Sequence, residues 1–275
     1  MDLAAYFERI AYAGPARPDL ATLVALHRAH LQAIPYENLD VQLGRPLTPA
    51  PGAAVEKIVG RRRGGWCYEM NGVFGEALRE IGFKVTRMAG AANRELLGDI
   101  VAGNHLVLLV EVEGQPWIAD VGFGDGSQDP FPLRTHAMTV GGYKFRLEPL
   151  DERWWRFHNH EFGGAKSFDF VVEPADPALL AGRCDWLQYD ATSHFVLNLI
   201  VQRYRGDTIL QLRGRLLRTV TPAGVESRLI GSADELVEVL ASDFALDVPE
   251  AAGLWPRVVA RHDEVMAAAA AAAPA

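Results

Sequence analysis

Apolar positions follow a helical period through the first eighty residues and fall into short strand-like runs beyond them. Leu20, Leu23, Val24, His27, Leu31 and Ile34 keep helical spacing from a start at Pro18-Asp19, and Pro35 ends the pattern. A Pro/Gly-rich loop covers Gly44 to Gly52. From Cys67 a second stripe runs through Met70, Asn71, Phe74, Leu78 and Ile81, and Gly82 closes it as a C-terminal glycine cap does. Residues 107–112 and 117–121 then predict a β-hairpin around Glu113-Gly114. Further strands are expected at 143–147, 154–158, 168–172, 195–201, 208–212 and 216–220, so the middle of the chain reads as a mostly antiparallel sheet or barrel. Ser232-Ala-Asp-Glu235 is a capping-box pattern, and Leu236, Val239, Leu240 and Phe244 give the helix after it an apolar face. The alanine run 267–275 is expected to be a frayed helical tail or disordered.

Composition narrows the class. The 275 residues are 49% hydrophobic and 23% charged, an ordinary globular balance with enough chain for a large core. A formal net charge of −8 without a long basic run argues against nucleic acid or an anionic membrane as partner. No apolar stretch is long enough to span a bilayer, and the N-terminus lacks the pattern of a signal peptide. Two cysteines in dissimilar contexts do not make a disulfide framework, so a cytoplasmic location is expected.

The segment Arg63-Gly-Gly-Trp-Cys67-Tyr-Glu-Met-Asn71 places Cys67 where a loop becomes a helix. There a thiol faces unsatisfied N–H groups and the positive end of the helix dipole, both of which favour a thiolate. Two readings stand: a reactive nucleophile, or a small buried hydrophobe opening an amphipathic helix.

A reactive cysteine needs a base, and the base needs an orienting group. Seven of the eight histidines have bland contexts. His27 and His30 form a helical pair expected at the surface or core edge, and His158-Asn-His160 lacks metal-binding or basic surroundings. His105 differs because it opens the first hairpin strand and the second carries Asp120. With Glu113-Gly114 as a two-residue turn, residues whose numbers sum to 227 lie opposite each other. His105 and Asp120 are then diagonal neighbours on one face, roughly 7–8 Å apart at the backbone. A three-residue turn would send them to opposite faces.

Taken together, Pro35-Tyr-Glu-Asn-Leu39, the RGGWC segment with Glu69 and Asn71, His105 at a strand start, and Asp120-Val-Gly-Phe-Gly124 resemble the arylamine N-acetyltransferase family over roughly residues 1 to 245. The later stretch from Ser193 to Arg203 is also similar. The resemblance implies an α+β fold with a helical N-terminal bundle (residues 1–83), a central antiparallel β-barrel (84–190) and a C-terminal α/β lid (191–275). It implies a papain-like site in which Cys67 is acylated, His105 moves the proton and Asp120 orients the ring. Acetyl-CoA would be the donor, and arylamines, arylhydrazines or N-hydroxyarylamines the acceptors, with no metal. By position, Phe123 and Phe195 match aromatics of the acceptor pocket. Gly124-Asp-Gly126-Ser127 matches a glycine-rich loop near the donor. Glu37 and Arg63 match a pair expected to meet beneath the site, although a weak surface ion pair is the plainer reading. Asn104, before the histidine, departs from the family pattern. An amide synthase of the same family, a papain-like peptidase or transglutaminase, and a non-enzymatic or metal-binding protein remain as rivals.

Overall fold

The structure is a computed structural model and describes residues 1–272. Its N-terminal part is helical, as the periodicity predicts. Asp19 caps the Leu20–Ala33 helix by accepting a hydrogen bond from the Thr22 N–H. The Cys67–Ile81 helix ends at Gly82, whose φ of 107° is the left-handed conformation of a glycine cap. One face of that helix, Met70, Val73, Phe74, Ala77 and Leu78, is buried in the main core with Met88, Leu108 and Val110 of the neighbouring sheet.

That sheet has eight antiparallel strands in the order Phe131–Pro132, Gln115–Ala119, His105–Val112, Lys84–Ala92, Ser167–Val171, Trp154–His158, Tyr143–Pro149 and His136–Val140. It is a curled half-barrel, with an edge strand on each side among the described residues, so the expected barrel is open. A second antiparallel sheet has five strands. Residues Tyr36–Glu37 form one edge, followed by Ile200–Arg205, Thr208–Arg213, Leu216–Thr221 and Gly224–Leu229. The helical N-terminal part therefore supplies a strand to the C-terminal sheet. The Ala233–Ser242 helix packs Leu236, Val239 and Leu240 into a separate core with Val201, Leu212 and Leu217.

Several elements differ from the sequence expectation. Residues 195–201 are not one strand: Ser193 caps a short helix, His194–Leu197, and pairing resumes only at Ile200. The Asn198 amide donates back to the His194 carbonyl and closes that turn at 2.8 Å. The unpredicted helix Pro177–Tyr189 starts at Asp176, whose carboxylate accepts from the Ala178 N–H, with Pro177 in the first turn. The second hairpin strand ends at Ala119, so Asp120 lies just past it. The alanine tail is helical to Ala272, and the remainder of that expectation lies outside the described residues. Among the described residues no helix is long and apolar enough to cross a membrane.

Candidate active site

The hairpin register brings the first two groups together. Leu108 pairs with Ala119 and Leu109 with Ile118, both sums of 227. Glu113 and Gly114 have φ of 52° and 74°, the two positive values of a type I′ turn. His105 Nε2 and Asp120 Oδ2 are 2.7 Å apart, and both side chains are buried.

Cys67 completes the cluster from the helix. It occupies the first helical position after Trp66, which has extended backbone. The Cys67 Sγ lies 3.8 Å from the carbonyl of Asn104, the residue before His105, and the sulfur is among the groups that favour a charged His105 ring. Gly122 permits the approach. A Cβ there would stand 2.9 Å from Cys67 Cα and 2.6 Å from Asn71 Nδ2, so any other residue forces strand end and helix start apart.

Asn71, one turn along the same helix, locks the carboxylate. Its amide donates to Asp120 Oδ1 at 2.7 Å and to the Leu106 carbonyl at 2.6 Å, while its own oxygen accepts from the Val121 N–H at 2.9 Å. The Gly122 N–H adds a 2.9 Å bond to Asp120 Oδ1. These contacts fix the protonation pattern. Burial opposes charge on His105, but Asp120 and the Cys67 sulfur outweigh it and raise the imidazole to about 10. Burial also disfavours the Asp120 anion, yet His105, Asn71 and the Gly122 amide hold its carboxyl below the usual range.

A buried charge network supports the helix start. Arg63 Nη2 lies 2.8 Å from Glu37 Oε1 and 3.2 Å from Asp40 Oδ1. Lys57 Nζ lies 3.0 Å from Asp40 and 2.9 Å from Glu69. Glu37 is 0% exposed, which excludes the surface-pair reading of Glu37 and Arg63. Glu69 reaches back to the Trp66 N–H at 3.3 Å, so the network grips the turn before Cys67. Burial, offset only in part by Lys57, lifts the Glu69 carboxyl to about 7.

The aromatic candidates reach the cluster from two sides. Phe123 packs edge-on against the His105 ring at 5.3 Å, and Phe195 packs edge-on against Trp66 at 5.3 Å. In the glycine-rich loop Gly124 has φ of 84°, and Gly126 lies against Phe123. The Ser127 hydroxyl is turned into its own loop, donating to the Asp129 carbonyl at 2.8 Å. The Asn104 side chain pairs with the backbone of Ala92, so this departure shows the sulfur only its carbonyl. The histidine pair His27 and His30 is fully buried rather than at an edge. His27 meets the Gln128 carbonyl and His30 the Tyr6 hydroxyl.

Sequence reasoning did not single out Lys57 or give roles to Asn71 and Glu69. The spacing of Glu69 and Asn71 along the helix was a usable signal for those two. Lys57 had none, because its acids lie in two stretches on either side of it, Glu37 with Asp40 and then Glu69.

The sequence model of a family described as N-acetyltransferase matches residues 19–252. The arylamine N-acetyltransferase of Mycolicibacterium smegmatis is 35% identical over 265 residues, spanning 92% of this chain and 94% of its own. That of Escherichia coli K12 is 34% identical over 260 residues, spanning 90% and 89%. Among solved structures, Mycobacterium marinum arylamine N-acetyltransferase matches with a TM-score of 0.85 at 32% identity, covering 96% of this chain and 99% of that one. Its complex with CoA matches equally well. Fold and sequence thus define an acyltransferase. The chain belongs to the arylamine N-acetyltransferase family.

Proposed function

We propose that the protein transfers an acetyl group from acetyl-CoA to arylamines, arylhydrazines or N-hydroxyarylamines through an acetyl-Cys67 intermediate, using a papain-like Cys67–His105–Asp120 triad. The observation that carries this reading is the buried 2.7 Å pair of His105 and Asp120, with the buried Cys67 sulfur 3.8 Å from the carbonyl of the residue before that histidine. Family membership supports the chemistry, and the M. marinum relative has been solved with CoA.

In the first half-reaction His105 holds the proton and the Cys67 sulfur attacks the thioester carbonyl. The Sγ–C bond forms, the bond from carbon to the CoA sulfur breaks, and His105 passes its proton to that sulfur. In the second, the acceptor nitrogen (or hydroxylamine oxygen) attacks the acetyl-cysteine. The new bond to the acetyl carbon forms, the Sγ–C bond breaks, and His105 takes the acceptor's proton. Asp120 stays ionised and stabilises the imidazolium. Phe123 and Phe195 supply apolar walls for an aromatic acceptor. The loop Gly124, Gly126 and Ser127 serves the donor through its backbone, because its serine hydroxyl is engaged. Glu37 and Arg63 hold the turn before Cys67. The three parts of the chain, 1–83, 84–190 and 191–275, then act as nucleophile carrier, base carrier and cover.

Because the acetyl group is parked on the enzyme, two-substrate kinetics are expected to be ping-pong. Reciprocal plots with acetyl-CoA and an arylamine varied together should be parallel. Intersecting plots would mean direct transfer and would overturn the reading.

A further inference from the structure

The two-residue strand Tyr36–Glu37 sits between the segment carrying Cys67 and the five-stranded sheet. Tyr36 pairs with Gln202 on one side and bridges to Gly65 on the other, two residues before the nucleophile. The Glu37 N–H donates to the Gly65 carbonyl at 2.9 Å and fixes the strand against that turn. Alternation along the strand sends neighbouring side chains to opposite faces. Glu37 turns down into the Arg63 and Lys57 network. Tyr36 turns the other way, into the cluster that contains Trp66, Cys67, Leu106 and Phe195.

The ring is held on two further sides. Its centroid lies 6.5 Å from that of Phe195. Its Cγ would lie 3.4 Å from a Cβ placed on Gly124, so the glycine of the donor loop lets the ring lie close to the backbone. The nucleophile turn, the donor loop and an acceptor-side aromatic therefore converge on one tyrosine.

Its hydroxyl is unusual beside the other buried phenols. Tyr6 meets His30, Tyr68 meets the Gly103 carbonyl and Tyr204 meets the Gly126 carbonyl. Among the described residues nothing hydrogen-bonds the Tyr36 hydroxyl. It is not sealed in as an orphaned atom either, and the residue is 9% exposed. Nearly buried, reachable and without a protein partner, the hydroxyl is left to donate to a group that enters the site. Burial first, and then the neighbouring Cys67, Asp125 and Asp120, push its ionisation well above the ordinary value. The group is thus an O–H donor at every working pH.

We propose that the Tyr36 hydroxyl is a further catalytic group, donating a hydrogen bond to the oxyanion that forms when the carbonyl carbon bonded to Cys67 becomes tetrahedral. The inference rests on the acetyl-Cys67 reading above. It requires no new bond or proton transfer, since the donor keeps its proton throughout. The same oxygen carries the charge in both half-reactions, so both should feel the loss of the donor.

The test is single-turnover acetylation of the intact protein by acetyl-CoA, followed by intact mass, comparing wild type with Tyr36→Phe. Removing one oxyanion donor is expected to slow acetylation by roughly 100-fold. Release of the acetyl group to an arylamine should slow to a similar degree, while Cys67 alkylation by iodoacetamide stays at the wild-type rate. Equal acetylation rates would overturn the proposal, as would a matching fall in alkylation, which would place Tyr36 on the sulfur instead. Should the phenylalanine variant fold poorly, site-specific tetrafluorotyrosine at position 36 acidifies the phenol by several pH units, enough to offset the upward push of its surroundings, while keeping the ring. Activity should then fall at alkaline pH as the phenol ionises, and an unchanged pH profile would overturn the proposal. A wild-type protein that never gains an acetyl group would instead remove the acetyl-Cys67 reading itself.

Discussion

Asn71 donates to Asp120 Oδ1 at 2.7 Å from the same helix that carries Cys67, so the thiol and the buried carboxylate are set by one rigid element. The hairpin alone fixes Asp120 against His105, and Asn71 makes that pair answer to the helix. Asn71→Ala leaves the Val121 N–H without its acceptor and Asp120 with fewer donors. Losing buried partners of this kind costs about 2–3 kcal/mol, readable as a lower urea midpoint. Acetyl transfer should fall with it. Asn71→Asp adds a second carboxylate beside Asp120 and should be worse on both counts.

Gly122→Ala tests the close approach of strand end and helix start. Its methyl group would meet Cys67 Cα and Asn71 Nδ2 inside contact distance. The backbone must shift, at a cost of about 1–3 kcal/mol. Activity should fall further than that stability loss accounts for, because the shift separates Cys67 from His105. Steady-state rates alongside thermal melting check this.

The pH dependence of stability follows from His105 and Asp120. The imidazole is raised to about 10 in the folded protein, so its contribution is complete below its ordinary value near 6.5 and is lost as pH rises through about 10. The depressed Asp120 carboxyl acts at the other limit. Its contribution is present above its ordinary value near 4 and is lost as pH falls through the lower folded value. Melting temperatures should therefore decline from pH 7 to pH 10.5. Asp120→Asn, which removes the main partner of the imidazolium, should flatten that decline.

Lys57→Met should be one of the more damaging single changes outside the Cys67, His105 and Asp120 cluster. Among the described residues, Glu37 and Asp40 would keep Arg63 as a buried cation and Glu69 would lose its ion-pair partner. Breaking a buried network by removing one charge costs about 3–5 kcal/mol. Arg61→Met, four residues on and exposed, should stay within about 0.5 kcal/mol. Chemical denaturation of the two variants makes the comparison.

Local signals read directly from the chain account for much of the fold. Asp19 as a cap, Gly82 as a terminator and Glu113-Gly114 as a two-residue turn each depend on a few adjacent residues, and each stands in the structure. The turn length carried the most weight, because it fixed which face His105 shares with Asp120. What stayed hidden depends on distant partners. Tyr36–Glu37 is a strand only because Gln202 and Gly65 come to its two sides. The edge strand Gly224–Leu229 is exposed along almost its whole length and has no alternation to read. The charge network joins residues from three separate stretches, so no spacing rule reveals it. The short helix at His194 overrode an apolar run that reads equally well as a strand, with Ser193 and Asn198 closing its ends.

Acetyl transfer through Cys67 can be seen directly as a change in mass. Purified protein incubated with acetyl-CoA and no acceptor should gain one acetyl group, and Cys67→Ala should gain none. Adding an arylamine should return the wild type to its starting mass. A wild-type protein that stays unmodified across acetyl-CoA and other short acyl-CoAs, or a Cys67→Ala variant that is acetylated like the wild type, would contradict the proposed route.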